Sequence, residues 1–235
     1  MLAAVPALPV LASAASAKAD TTDLVLNCDP ALVPPMRHAA QRFYASRGVR
    51  VRIFPTGPGL LLPQLARAVQ NDLICTSRET VRAAIAAGIV APDAVQGEWR
   101  NKLVLAARKG AGAAALKGRI AASDPTPGAD MDGPAIVGRM SLGQSAILGV
   151  IDTDEVAFLL LGGQAAAGLL HATDVRANPE LETLMVVPDE FAPPIVCAVA
   201  VTSLARRPDP QAFAAFLVGA AGTAVLREGG LEMPS

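Results

Sequence analysis

LVLNCDP, residues 24–30, is a short apolar run that leads into the turn-prone segment Asn-Cys-Asp-Pro. This pattern predicts a buried strand that ends in a loop. A segment of helical periodicity follows the loop, and the same order of apolar strand and helix then occurs twice more. The predicted strands are residues 24–26, 49–54 and 72–76, and the predicted helices are residues 31–46, 60–69 and 78–87. Alternation at this spacing is typical of parallel strands joined by crossover helices.

The second half of the chain repeats the alternation. Further strands are predicted at residues 102–107, 119–122, 168–171, 184–187 and 195–201, and helices at residues 141–150, 155–161, 209–219 and 223–228. Two similar α/β halves with long strands between them predict two lobes joined by crossing strands at 102–107 and 195–201. Lobe one is predicted to comprise residues 20–104 and 198–235, and lobe two residues 105–197.

Composition excludes several classes of protein. The hydrophobic fraction is 52%, but no unbroken apolar run of 18 residues follows the first twenty positions, which argues against a membrane-spanning helix. The net charge is −1 and aromatic residues make up only 3%, so neither a phosphate-tracking surface nor stacking platforms for nucleic acid are predicted. Catalytic and zinc-binding motifs are lacking, so no enzyme activity, bound metal or cofactor is expected.

Residues 1–19 have the pattern of an export signal. An apolar stretch is followed by small residues that offer A-x-A cleavage sites, although the usual basic N-terminal region is missing. The alternative is a disordered tail rich in alanine and proline. If the segment is a signal, the mature protein begins near Asp20 and is periplasmic.

Several segments together resemble the molybdate-binding proteins of ABC importers, which are type II periplasmic binding proteins. The resemblance extends from about Leu24 to Leu231. It rests on the order and spacing of the first strand and helix, residues 57–77, 88–90, 101–105, 123–125, 168–174 and 193–196, and the tail at 213–217 with Gly222. It implies two α/β lobes that close on a tetrahedral oxyanion such as molybdate or tungstate. It also implies an ABC permease in the inner membrane as partner, and we expect a monomer.

The chain departs from that family at the positions expected to hold the anion. Proteins of the family use serine and tyrosine hydroxyls together with backbone N–H groups at helix starts. Here the expected hydroxyl positions are Ala31, Pro58 and Cys197, and Pro58 also lacks an N–H group. Carboxylates of Asp29 and of the segment 152–155 are expected near the cleft, where they would repel an anion.

The predicted ligand-binding set therefore combines family positions with nearby polar groups. It consists of Asp29, Ala31, Thr56, Gly57, Pro58, Gly59, Thr76, Ser77, Thr126, Glu155 and Cys197. Each hydrogen bond lost to a charged ligand weakens binding by about 1.5–3 kcal/mol, and two or three such losses reduce affinity roughly a hundredfold or more. We therefore expect molybdate to bind weakly or not at all.

Three cysteines invite two interpretations. Cys28 and Cys75 each lie at the carboxyl end of a predicted parallel strand, where ligands bind in open α/β sheets, and Cys197 lies on a returning strand. A thiol cluster there would suit a soft metal or metalloid. The simpler interpretation, which we favour, is that all three are small buried apolar residues.

Three functions thus remain open from the sequence. The first is a periplasmic receptor for a molybdate-like oxyanion. The second is a receptor for another small ligand, a cation or an organic solute, as the missing hydroxyls and added carboxylates suggest. The third is a sensor or accessory protein that does not feed a permease.

Overall fold

The computed structural model describes residues 23–67, 70–125, 131–142, 146–207 and 209–233, so the predicted signal segment lies outside the described residues. The strands are β1 (Leu24–Cys28), β2 (Val51–Pro55), β3 (Leu73–Ser77), β4 (Val90–Asn101), β5 (Leu103–Arg108), β6 (Ile120–Ser123), β7 (Ile147–Val150), β8 (Ala167–His171), β9 (Leu181–Val186) and β10 (Ile195–Thr202). The helices are α1 (Val33–Arg47), α2 (Pro58–Ala66), α3 (Arg78–Ala86), α4 (Gly133–Arg139), α5 (Thr153–Leu161), α6 (Ala172–Ala177), α7 (Pro210–Val218) and α8 (Ala220–Glu228). Short 3₁₀ turns occupy Pro30–Leu32 and Ala113–Lys117.

The strands form two five-stranded sheets built on the same plan. The first has the order β2-β1-β3-β10-β4 and the second the order β7-β6-β8-β5-β9. In each sheet three parallel strands are followed by one antiparallel strand, β10 in the first and β5 in the second, and then by an edge strand. The predicted α/β fold of two lobes is thereby confirmed.

Two segments connect the lobes. Lys102 alone separates β4, which belongs to the first sheet, from β5, which belongs to the second. The chain returns through residues 187–194 to β10, whose first residue, Ile195, pairs with Asn101 at the end of β4. The two connections therefore lie side by side. The division of the lobes at 104/105 and 197/198 stays a prediction.

The first lobe has the larger apolar core, and the final helices contribute to it. Phe213 and Leu217 of α7 and Leu226 of α8 are fully buried against the first sheet and α1. The Phe43 and Phe213 rings meet edge to face, with centroids 5.1 Å apart. The predicted packing of the last helices on lobe one is confirmed. No helix in the described part of the chain has the length and apolarity that a membrane crossing requires.

One local prediction fails, and one long strand was missed. The predicted helix at 141–150 is wrong, because residues 147–150 form β7 and pair in parallel with β6. Pairing with a neighbouring strand overrides local periodicity there, and Gly149 is a poor helix residue. The long strand β4 was not predicted. Among the strands that the structure describes, its only partner is β10, and its other side carries a single bridge between Arg100 and Glu232, so Pro92 and the exposed residues beside it are tolerated at this edge.

A buried carboxylate fixes the start of the first sheet. Asp72 is fully buried, and its side chain accepts hydrogen bonds from the backbone N–H groups of Val25 (2.8 Å) and Arg206 (3.2 Å). Its Oδ2 also lies 3.0 Å from Nη1 of Arg207. Its backbone carbonyl accepts the N–H of Thr202, the last residue of β10. One residue thus joins the beginning of β1 to the end of the returning strand.

We expect Asp72→Ala to lower the free energy of unfolding by about 3–5 kcal/mol, since it leaves two backbone donors and a partly buried guanidinium without their acceptor. Asp93→Ala is the matched control, because Asp93 is an exposed acid on β4 and its loss changes stability by no more than about 0.5 kcal/mol. Urea denaturation followed by circular dichroism measures both. Equal stabilities of the two variants would contradict the role assigned to Asp72.

Candidate functional site

A cavity of about 240 Å³ lies between the two sheets. Strands β1 and β3 of the first sheet and β6, β7 and β8 of the second all direct their carboxyl ends toward it. Ligands of open α/β sheets bind at this end of parallel strands. Its lining residues are Asp29, Pro30, Ala31, Leu32, Gly57, Ser77, Asn101, Ser123, Asp124, Met131, Ile151, Asp152, Thr153, Asp154, His171, Ile195 and Cys197. We call this cavity the cleft.

On the wall from the first lobe, helix starts are capped by the chain's own side chains. The Asp29 carboxylate accepts the Ala31 N–H at 3.0 Å, at the start of the 3₁₀ turn. Ser77 caps α3, with its hydroxyl accepting the Thr80 N–H at 3.3 Å. Gly57 precedes α2, and a side chain added there would meet nothing within 4 Å. This wall therefore combines a carboxylate, a hydroxyl and open space.

The wall from the second lobe has the same type of capping around α5. Asp152 Oδ1 accepts the Glu155 N–H at 2.9 Å, and Glu155 Oε2 accepts the Ile151 N–H at 2.9 Å. The carboxylate of Asp124 lies over Gly149, where a Cβ atom would come within 2.4 Å of Oδ1. A side chain at position 149 would therefore displace the carboxylate from this wall.

The electrostatic character of the cleft is acidic. Asp29, Asp124, Asp152 and Asp154 line it, whereas no lysine or arginine is present among its described lining residues. Nδ1 of His171 lies 3.1 Å from the carboxylate of Asp174. Partial burial raises the pKa of Asp154, and the negative charges of Asp152 and Asp174 raise it further. The cleft thus concentrates negative charge.

At the back of the cleft, where the lobes join, Asn101 is 1% exposed. Its Nδ2 donates to the hydroxyl of Thr173 at 2.9 Å. Its Oδ1 is buried and has no hydrogen-bond partner among the described residues. An amide oxygen without a donor is costly in a protein interior unless a ligand or water supplies one.

The structure brings five of the residues predicted from the sequence to the cleft. These are Asp29, Ala31, Gly57, Ser77 and Cys197. Their roles in ligand binding stay predictions, but their positions at strand ends and helix starts agree with the expected type of site.

Four other predicted residues are not among the described lining residues. Thr56 is buried and its hydroxyl donates to Asn27 Oδ1 at 3.1 Å, while Thr76 is fully buried in β3. Gly59 is exposed on α2, and Glu155 is engaged at the start of α5. Pro58 begins α2, and nothing is described of its side chain; Thr126 lies outside the described residues.

The predicted ligand-binding set omitted most of the lining residues that come from the second lobe. It also omitted Asn101, where the lobes join. Asp152 and Asp154 carried a sequence signal, as acidic residues at a helix start expected to face the cleft. Asn101 carried none, because its position depends on the crossing of the chain between the lobes.

The three thiols lie on strands β1, β3 and β10 of the first sheet. Cys28 and Cys75 pair in register on neighbouring parallel strands, and all three cysteines are buried and unbridged. Burial raises the pKa of Cys28 well above its ordinary value, and the adjacent Cys75 thiol, Asp29 and Cys197 raise it further. Within the described residues, no three His, Cys, Asp or Glu side chains are grouped so as to hold a metal ion. The burial of the thiols agrees with the interpretation of small apolar residues, which stays a prediction.

Comparison with known proteins agrees with this geometry. The model of one family, described as bacterial extracellular solute-binding protein, matches residues 24–232. No curated protein sequence matches the chain. Among solved structures, a substrate-binding domain assigned to a molybdenum ABC transporter from Clostridium difficile superposes with a TM-score of 0.73 at 17% identity, covering 91% of this chain and 99% of that one.

Two further structures show how far the fold extends. The periplasmic molybdate-binding protein of Azotobacter vinelandii has a TM-score of 0.72 at 15% identity, with coverage of 90% of this chain and 100% of that one. Iron-bound HitA from Pseudomonas aeruginosa has a TM-score of 0.59 at 17% identity, with coverage of 88% and 84%. At these identities the likeness concerns the fold.

The raised pKa of Cys28 leads to a prediction about reactivity. In the native protein at pH 8 we expect Cys28 to remain unmodified by an aromatic disulfide reagent, because the thiolate is the reactive form. All three cysteines should react once guanidinium unfolds the chain. Ala45→Cys places a thiol on the exposed surface of α1 and should react at once, as the control. Rapid modification of native Cys28, located by mass spectrometry, would contradict the prediction.

The raised pKa of Cys28 also makes the free energy of unfolding depend on pH. Above about pH 8.5 the unfolded thiol loses its proton while folded Cys28 keeps it, so the free energy of unfolding falls as pH rises. Denaturant titrations between pH 7 and pH 10 should show a smaller fall for Cys28→Ala than for the parent chain. An identical fall in both would show that Cys28 does not contribute.

Proposed function

Because the chain belongs to the family of bacterial extracellular solute-binding proteins, we propose that it is the periplasmic receptor of an ABC importer. In this role the protein binds one small solute in the cleft and delivers it to a permease in the inner membrane. It acts by binding and not by catalysis, and it works as a monomer.

The observation that carries the proposal is the construction of the cleft from both lobes. Its walls come from the strand ends of two separate sheets, and the lobes are connected by two adjacent segments at Lys102 and at residues 187–194. A rotation at such a connection closes the walls on a ligand without disturbing either core, as in hinge closure around ligands. Closure would also give the permease a surface that differs between the empty and loaded states.

The fold does not decide the charge of the solute. Solved structures with this fold include a molybdate-binding protein and an iron-bound protein. Resemblance favours molybdate or tungstate, for which Ser77, Ser123 and Thr153 would offer hydroxyl groups. Against an oxyanion, backbone N–H groups at the relevant helix starts already donate to Asp29 and Asp152. We therefore expect an oxyanion to bind weakly, which leaves the second class of ligand, a cation or organic solute, as the better candidate.

Gly57→Trp tests whether the cleft is the binding site. Position 57 has open space around it and an ordinary φ of −62°, so a large side chain fits the backbone and fills the cleft. The test is a thermal-shift screen with molybdate, tungstate, sulfate, phosphate, amines, amino acids and divalent metals. A solute that binds the folded state raises Tm by mass action, and Gly57→Trp should abolish that rise while leaving the ligand-free Tm nearly unchanged.

Gly138→Trp is the matched control. Gly138 is exposed on α4 outside the cleft, and a Cβ atom there meets only Ile147 at 3.9 Å, so ligand stabilisation should persist. Small-angle X-ray scattering should also show a smaller radius of gyration when the solute is bound. Stabilisation that survives in Gly57→Trp would place the site elsewhere, and a screen without any stabilising solute would count against the receptor role.

A further inference from the structure

We propose that the solute bound in the cleft is a small organic cation with N–H donors, a protonated primary or secondary amine, held by the cleft aspartates and by Asn101 Oδ1. The inference rests on the proposed function, because it assigns a ligand class to the same cleft. It reverses the sign of charge that resemblance to molybdate-binding proteins implies.

The first argument is the balance of charge across the cleft. Asp29 comes from the first lobe, whereas Asp124, Asp152 and Asp154 come from the second, and the described lining contains neither lysine nor arginine. Closure removes water and brings these carboxylates nearer to each other. Carboxylates buried without a countercharge are strongly unfavourable, so a closed state requires positive charge from the ligand. An oxyanion would add to the repulsion.

The second argument concerns the groups that normally attract anions. Helix starts favour negative charge because their backbone N–H groups lack partners. In this cleft the carboxylates of Asp29 and Asp152 accept such N–H groups at the 3₁₀ turn and at α5, at 3.0 and 2.9 Å, whereas the Ser77 hydroxyl caps α3 and α2 begins without a side-chain cap. Glu155 accepts the N–H of Ile151 in the same way. The chain supplies its own anions at these positions, and the Asp152 carboxylate can accept a further donor from the ligand.

Asn101 provides an independent indication of the ligand's polarity. It is 1% exposed, it lines the cleft, and its Oδ1 has no partner in the described structure, while its Nδ2 is engaged by Thr173. As the amide is oriented here, the group without a partner is an acceptor, which a donor from a ligand or a water molecule would satisfy. An ammonium N–H satisfies it, whereas a deprotonated oxyanion has no donor to offer.

The remaining lining narrows the kind of cation. Met131, Ile151 and Ile195 give the cleft an apolar portion suited to a short alkyl chain. No Phe, Tyr or Trp occurs in the described lining, so the aromatic cage that quaternary ammonium groups prefer is lacking. No described group of three His, Cys, Asp or Glu residues is arranged to hold a metal ion. An amine with N–H groups and a short alkyl chain fits best.

The raised pKa of Asp154 is consistent with this assignment. Its causes are partial burial followed by the charges of Asp152 and Asp174. A bound ammonium group would offset these charges and stabilise the ionised carboxylate. The ligand-free cleft thus holds a repulsion that a cation relieves.

Isothermal titration calorimetry of the full chain with matched four-carbon probes tests the proposal. Butane-1,4-diamine and butylamine carry positive charge, butane-1,4-diol is neutral, and butanoate and molybdate are anions. We expect the amines to bind and the diol and both anions to bind at least about tenfold more weakly or not at all. Raising the salt concentration should slow association of the amines, because attraction to the acidic cleft is screened.

Two substitutions test which carboxylates bind the amine. Asp124→Asn and Asp154→Asn should each weaken amine binding at least about tenfold, since each removes a charge-assisted hydrogen bond. Asp93→Asn removes the same charge from exposed β4 and should leave affinity unchanged. Circular dichroism confirms that all variants are folded. Equal affinities in the three variants would overturn the proposal.

The outcomes separate this inference from the proposed function. If molybdate, butanoate or the diol binds more tightly than the amines and Gly57→Trp abolishes that binding, the receptor role stands and the cationic ligand is wrong. If only divalent metals bind in the cleft, the amine class is likewise wrong. If no solute of any class binds, both proposals fall together.

Discussion

The buried carboxylate of Asp72 is the constraint on which the two-lobed arrangement depends. It joins the start of β1 to the segment that follows β10, and its backbone joins the end of β10 itself. These contacts hold the returning strand β10 in the first sheet between β3 and β4. The other end of β10 brings Ile195 and Cys197 to the cleft and sets Ile195 beside Asn101. A polar contact at one end of the sheet thus supports the strand that lines the cleft at the other end.

The second organising feature is the capping of the helix starts around the cleft. A helix start with free N–H groups is a general anion site, and several helix starts border this cavity. At the 3₁₀ turn and at α5 the N–H groups donate to the carboxylates of Asp29 and Asp152, whereas the Ser77 hydroxyl caps α3 and α2 begins without a side-chain cap. Two of these starts therefore carry acceptors that belong to the chain itself.

How far the sequence predicts this structure differs from one region to another. Strands β1, β3, β6 and β8 were predictable because each is a short apolar run that is almost wholly buried, as in LVLNC of β1. The edge strand β4 was not, because its exposed residues and Pro92 conceal the pattern, and residues 147–150 became a strand only through pairing with β6. In the site, Asp29 and Ser77 follow strands directly and could be placed from the sequence. Asn101 could not, since its side chain reaches the cleft only because two lobes meet there, and the hydrogen bond with Thr173 joins residues 72 positions apart.

The pairing of β4 with β10 has a practical consequence. Trp99, the chain's single tryptophan, lies in β4 opposite Cys197, two residues before Asn101. Its indole is 1% exposed, and its Nε1–H has no hydrogen-bond partner among the described residues. The protein therefore carries one indole beside the connection between its lobes, with a sulfur atom on the facing strand and no second indole to obscure the signal. Excitation at a wavelength that Tyr44 does not absorb selects this indole, so the unlabelled protein has an optical signal that comes from one place in the first sheet.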